Sequence, residues 1–254
     1  MKTLTQVWLW SAAGCFLILI LGFNLADRIG LFVAFLLCLA FLYLTFYVGL
    51  KIFLNKTKSH EVLGSDTTQM TQYLNELKRL YGVKSIRFFT TPNRTPPLVW
   101  SEFSNELIIT VNQRVVNNLT TAEKKILCHL LLSHGQHQSK MLRRVLGLLF
   151  MSLTPVEKIV SPFFNFTSYL LGLSKEIYTA DLKALSQAQT SGHATQLEFG
   201  LFLHKLHYIN QHKALLTQGT YYFSILSDKY SKLYNLNFHP HITKREKNIL
   251  GYSI

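Results

Sequence analysis

The chain predicts an α+β fold, mainly α, with a small β-sheet, preceded by a two-helix transmembrane hairpin. Three observations point there. Two long uncharged apolar runs lie close together near the N-terminus. An ordered helix–strand–strand–helix pattern follows them, and helical periodicity dominates the rest. The 254 residues suit one compact domain with an appendage. We divide them into a hairpin over 1–56 and a domain over 57–254.

Val7–Phe23 carries no charge and approaches bilayer-spanning length, and Gly30–Leu50 reaches it, at about 20 residues. A signal peptide is the competing reading of the first run. It is weakened by bulky Phe23, Asn24 and Leu25 where small cleavage-site residues belong, and by the second run starting at once. The linker 24–29 holds Asp27 and Arg28, whereas Lys2 precedes the pair and Lys51, Lys56 and Lys58 follow it. The positive-inside rule then puts both ends of the hairpin, and everything after it, in the cytoplasm.

A polar connector spans 57–67. Thr68–Tyr81 follows, with Met70, Tyr73, Leu74, Leu77 and Leu80 at helical spacing and Gly82 as its stop. Val83–Thr90 alternates with β-branched and aromatic residues and reads as a strand. Pro92, Pro96 and Pro97 mark a loop. Glu106–Val111 reads as a second strand and leads through 112–118 into the central stretch, Asn118–His137.

That stretch starts with Thr120 or Thr121 as a cap and Glu123 in the first turn. Leu130-Leu131-Leu132-Ser133-His134 occupies the place where a zinc peptidase carries His-Glu-x-x-His. In that motif residues i and i+4 share a helix face, so two imidazoles meet one metal while the Glu polarises its water. Beyond it, Lys140, Arg143 and Arg144 precede an apolar insertion over 145–173, interrupted near Pro155 and at Pro162. Neither half is long enough to cross a bilayer cleanly. The insertion reads equally as a membrane-dipping hairpin or a buried one. Ser174–Gln189 is a helix with Ile177, Ala180, Ala184 and Leu185 toward the core. Ala194–His207 is another, with Leu197, Leu201, Leu203 and Leu206 inward. No internal repeat or low-complexity tract is present.

Lys and Arg number 26 against 13 acidic residues. Beside long apolar runs, this surplus fits an anionic membrane surface, with the basic cluster near 140–144 as an anchor. No base-reading module accompanies it, so no nucleic-acid partner is expected. Cys15, Cys38 and Cys128 lack metal or disulfide spacing and read as small core residues.

Taken in this order, the pieces resemble the HtpX-like membrane zinc metallopeptidases, relatives of the CAAX prenyl proteases. Three segments carry the likeness. In NLTTAEKKILCHLLLSH, Leu119, Glu123 and His134 are in register with the family's helix. In SKEIYTADLKAL, Ser174, Tyr178, Ala180 and Asp181 are in register with its second motif. In HPHITKR, His239, Pro240 and Arg245 match its His-Pro segment. The likeness spans nearly the whole chain. It implies a zincin-like domain, a zinc cofactor and an integral protein of the bacterial cytoplasmic membrane engaged in protein quality control.

The departures fall on the chemistry. Leu130 stands at the first ligand, Leu131 at the general base and Ile177 at the third ligand. A catalytic zinc needs three protein ligands and an open water position, so no metal and no catalytic residue is expected. Three aliphatic side chains in a wet cleft would turn it into core, each worth roughly 1.5–3 kcal/mol on burial. Asp181, which in the family steadies the lost ligand, is left for helix packing or a new hydrogen bond. The expected function is therefore a pseudopeptidase: a membrane-anchored protein-binding or regulatory module whose client is a protein or peptide, or an active peptidase. The alternative is a zinc endopeptidase with a migrated site. His134 and His137, about 60° apart on a helix, would share the metal with Glu176 or Asp181. Even without catalysis, His239 and Arg245 would orient a bound carbonyl or carboxylate, or cap the final helix. Leu107, Ile108, Ile109 and Thr110 match the family's edge strand, which takes peptides by strand addition; an internal strand is the other reading.

Overall fold

The computed structural model describes residues 2–43, 48–62, 69–91, 95–102, 105–136, 173–209, 224–226 and 240–251. His137, the basic cluster Lys140, Arg143 and Arg144, the insertion up to residue 172, and His239 lie outside the described residues. The chain is mainly helical with a small mixed sheet. It divides into two compact units, Met1–Phe53 and Leu54–Ile254.

The first unit is built on α1 (Lys2–Tyr43), an apolar helix interrupted by non-helical backbone at Ala26 and at Asp27, whose φ is 51°. The Cys38 thiol lies 3.5 Å from the Cys15 carbonyl oxygen, 23 residues away in sequence. A straight helix would separate them by about 34 Å, so α1 doubles back at the break. Its inner face is made of small residues. A Cβ on Gly22 would sit 2.5 Å from both the Gly30 carbonyl oxygen and the Ala34 Cβ, so glycine is required by the close approach itself. Gly30, Ala34 and Cys38 recur every fourth residue and are buried. Phe16, Leu17, Leu21, Phe32 and Leu37 are among the large apolar side chains on the outside, all more than half exposed. Among the described residues, one helical stretch, Ala12–Ala40, is long and apolar enough by length and composition to cross a membrane. Of the second apolar run, expected over Gly30–Leu50, the described residues are 30–43, within α1, and 48–50, of which Gly49 and Leu50 belong to α2 (Gly49–Thr57).

In the second unit, a four-stranded sheet is ordered β1-β2-β4-β3. Its strands are β1 (His60–Glu61), β2 (Ser85–Thr91), β3 (Leu98–Ser101) and β4 (Glu106–Asn112). β4 runs parallel to β2 and antiparallel to β3. Ile108 is thus flanked by Arg87 on one side and Trp100 on the other. This corrects the expectation that Leu107, Ile108, Ile109 and Thr110 offer a free edge for a peptide: both sides of β4 are already paired. The edges are β1 and β3, and Leu98 of β3 bridges Ser224. Neither β1 nor β3 was expected from the sequence.

Helix α3 (Met70–Leu77) buries Met70, Tyr73, Leu74 and Leu77 as its spacing predicts. Leu80 falls beyond the helix and is 53% exposed. α4 (Gln113–Asn117), capped by the Asn112 side chain, hands the chain to α5 (Thr121–Gly135). α5 packs against α3, β3, β4 and two later helices, α6 (Leu173–Thr190) and α7 (Gln196–Ile209). α6 buries Ile177, Ala180, Ala184 and Leu185 as expected. α7 does not follow its expected face. Leu203 and Leu206 are buried, but Phe199 and Phe202 join them while Leu197 and Leu201 are about half exposed. Phenylalanine buries more apolar area than leucine, and it decides which face turns inward. α8 (Ile242–Leu250) packs on α7. There a Cβ on Gly200 would meet Leu250 at 2.7 Å, and Glu246 accepts from His204 Nδ1 at 2.8 Å.

Candidate functional site

The site grows from α5. Its N-terminus is closed by a capping box: Glu123 N donates to Thr120 Oγ1, and Thr120 N donates to Glu123 Oε2 at 2.8 Å. Such reciprocal caps satisfy donors the helix cannot pair internally. Glu123 also receives Lys205 Nζ at 2.7 Å, which ties α7 to the start of α5. From Ile126 to Gly135 every residue is buried. A helix buried on all sides must place its polar side chains on specific partners. α5 has three to place: His129, Ser133 and His134.

Two of them engage α6. Ser133 Oγ donates to the Ala180 carbonyl at 2.7 Å, and His134 Nε2 donates to Asp181 Oδ1 at 3.0 Å. One turn on, Lys183 donates to the Gln136 side chain. These contacts join the last turn of α5 to the middle of α6, while His129, earlier on α5, meets His193 beyond the end of α6, so the two helices run in opposite senses. Leu130 of α5 and Ile177 of α6 are both wholly buried. Leu131, equally buried, belongs to the main apolar core with Leu130. The three positions expected to convert a cleft into core do lie in core.

Asp181 is the hub. Arg245, brought in by α8, donates from Nε to Oδ2 at 2.7 Å and from Nη2 to Oδ1 at 2.6 Å. Its Nη1 donates to the Ile225 carbonyl at 2.7 Å. The Asp181 and Arg245 side chains are 0% and 1% exposed. Burial pushes the Asp181 carboxyl upward, but the Arg245 charge and the bonds from His134 and Arg245 outweigh it and hold the group below its ordinary range. The new hydrogen bond expected of Asp181 is therefore made, twice over. The forked guanidinium matches the carboxylate edge and suits a pair this deep.

A second polar chain leaves α5 on another side. Tyr81, in the turn after α3, meets His129 Nδ1 at 2.8 Å, and His129 Nε2 meets His193 Nδ1 at 2.9 Å. His193 lies in the turn between α6 and α7. Burial, with His193 nearby, pulls the His129 imidazole down to about 4. Burial pushes the Tyr81 phenol well above its usual value. Reading the sequence missed both partners of His129. The available signal was its position inside an unbroken buried run, where an imidazole requires two hydrogen bonds.

The implied zinc can be tested against these side chains, and they do not fit it. At the three degenerate positions stand Leu130, Leu131 and Ile177, which offer no donor. His134 Nε2 is spent on Asp181. Glu176 is half-buried on α6, and among the described residues no three His, Cys, Asp or Glu side chains are grouped as a metal needs. Of the matched cleft residues, His134, Asp181 and Arg245 come together in one network. No family model, no characterised protein and no solved structure matches the chain.

Proposed function

We propose that this chain is a membrane-anchored pseudopeptidase: an HtpX-like, zincin-type scaffold without peptidase chemistry that serves as a protein-binding or regulatory module. The observation carrying the reading is the pairing of two facts. Leu130, Leu131 and Ile177 are wholly buried, and the polar residues kept around them are bound to one another in a closed network. A catalytic centre keeps an open coordination position and a group to activate water. Here the corresponding volume is filled by aliphatic side chains and an ion pair.

The anchor is α1, read as two transmembrane arms joined at Ala26–Asp27. Small residues line the inside of the bend and large apolar ones the outside. That is the reverse of a water-soluble helix pair and suits lipid as the surrounding solvent. The lysines flanking the arms put the C-terminal domain in the cytoplasm. The partners proposed are the bilayer and a protein segment or an active peptidase near it.

Full-length protein purified in mild detergent should carry no stoichiometric zinc and should cleave neither casein nor a membrane substrate, with or without added zinc. Chelator-sensitive cleavage abolished in His134→Ala would overturn this reading and establish a rearranged zinc endopeptidase in its place. For the anchor, protease added to inverted vesicles should digest the C-terminal domain, and protease added to right-side-out vesicles should not.

A further inference from the structure

The Tyr81–His129–His193 chain plays no part in the function proposed above, yet it is fully bonded and reaches from the core to the partly exposed His193. Two hydrogen bonds in series need one proton each, and their direction can be worked out. Among the described residues the Tyr81 hydroxyl has no partner other than His129. Tyr81 is 1% exposed. If His129 donated to it, the phenolic hydrogen would be left in the core without an acceptor, an arrangement that buried groups avoid. Tyr81 therefore donates to His129 Nδ1. His129 then carries its proton on Nε2 and donates to His193 Nδ1, which must be bare. Both rings are neutral Nε2–H tautomers.

This direction makes the chain intolerant of an added proton. Protonated His193 would present Nδ1–H to the Nε2–H of His129 across a 2.9 Å contact. Reversing the bonds would leave the Tyr81 hydroxyl orphaned. Protonating His129 instead puts an imidazolium in the core facing a phenol. The other charged and titratable groups around the chain are Glu76 of α3, Lys125 and Cys128 of α5, and Lys183 of α6. Lys125 opposes a charge on His193 and Glu76 favours it, while burial outweighs both and lowers that imidazole.

We propose that Tyr81, His129 and His193 form an acid-opened latch, closed when both rings are neutral, that pins the α6–α7 turn and the end of α3 to α5. Three elements distant in sequence are joined at these side chains' polar atoms, and the backbone around His193 depends on the same corner. His193 N donates to the Ala188 carbonyl at 2.8 Å, and Gly192 takes a left-handed φ of 66°. Opening the latch should loosen residues 190–195 while leaving the sheet intact.

The test uses full-length protein in detergent micelles with ring-labelled histidine. Nitrogen–proton correlation spectra at pH 8 should show Nε2–H tautomers for both His129 and His193. Between pH 7.5 and 5, amide exchange at 191–195, corrected for intrinsic rates, should accelerate at least tenfold relative to β4. His193→Asn keeps an acceptor near the Nδ1 position and removes one of the two titrating rings, so its acceleration over that range should be clearly smaller than the wild type's. An Nδ1–H tautomer for His129 in the wild type would overturn the proposal, as would the same acceleration in His193→Asn. The tautomer measurement stands even if the variant fails to fold.

Discussion

Two polar clusters branch from α5, and they solve the burial of polar atoms in opposite ways. One, His134–Asp181–Arg245, keeps full charges inside and cancels them by a forked ion pair. The other, Tyr81–His129–His193, stays neutral and relies on the direction of its protons. A charged cluster survives burial only while every partner is present, since one removed partner strands a charge in low dielectric. A neutral cluster survives only while no proton is added. The first should therefore be sensitive to mutation and resistant to mild acid, the second the reverse.

The sharpest way to break that contrast is Arg245→Met. It leaves Asp181 wholly buried with His134 as its remaining partner, and should cost on the order of 3–5 kcal/mol in chemical denaturation of the micelle-bound protein. Adding Asp181→Leu should recover most of the loss, because an apolar pair replaces the ionic one. If the double variant is no more stable than the single, the pair does more than balance charge.

Acid offers the next largest effect. The native His129 imidazole, drawn down to about 4, binds fewer protons than in the unfolded chain, where it titrates near 6.5. Its stabilisation is fully present above about pH 6.5 and is lost as pH falls toward 4, about 3 kcal/mol in all. His193, also lowered, acts in the same direction. The depressed Asp181 carboxyl behaves differently: its contribution is present above the ordinary Asp value and is lost only below it. Thermal unfolding against pH should show a first decline between pH 6.5 and 4 and a second at lower pH. The smallest effect serves as a control outside both clusters. Thr120→Ala removes the α5 cap and should cost about 1 kcal/mol while leaving the decline that begins near pH 6.5 in place.

How much of this could be read from the residues depended on distance in sequence. The Thr120–Glu123 box, the buried face of α3 and the inward side of α6 are local patterns, and they were legible. The gathering of His134, Asp181 and Arg245 came only through register with a family's motifs, and the bonds among them were not in the pattern. β4 shows the limit well. Its apolar core fits an edge or an internal strand equally, and the choice is made by β3, which is short and follows Pro96 and Pro97. α7 misled because leucine spacing marked one face while Phe199 and Phe202 buried more area on another. His129 to His193 is a link across 64 residues, beyond any periodicity.

The opposite senses of α5 and α6 also restrict how this protein can be re-engineered. His134 meets Asp181 at one level of the seam and His129 meets His193 at another, so the two polar clusters share one helix pair as a ruler. A single residue inserted in α6 after Asp181 would turn all that follows by about 100° and advance it by about 1.5 Å. The ion pair would keep its place, and His193 would be carried away from His129.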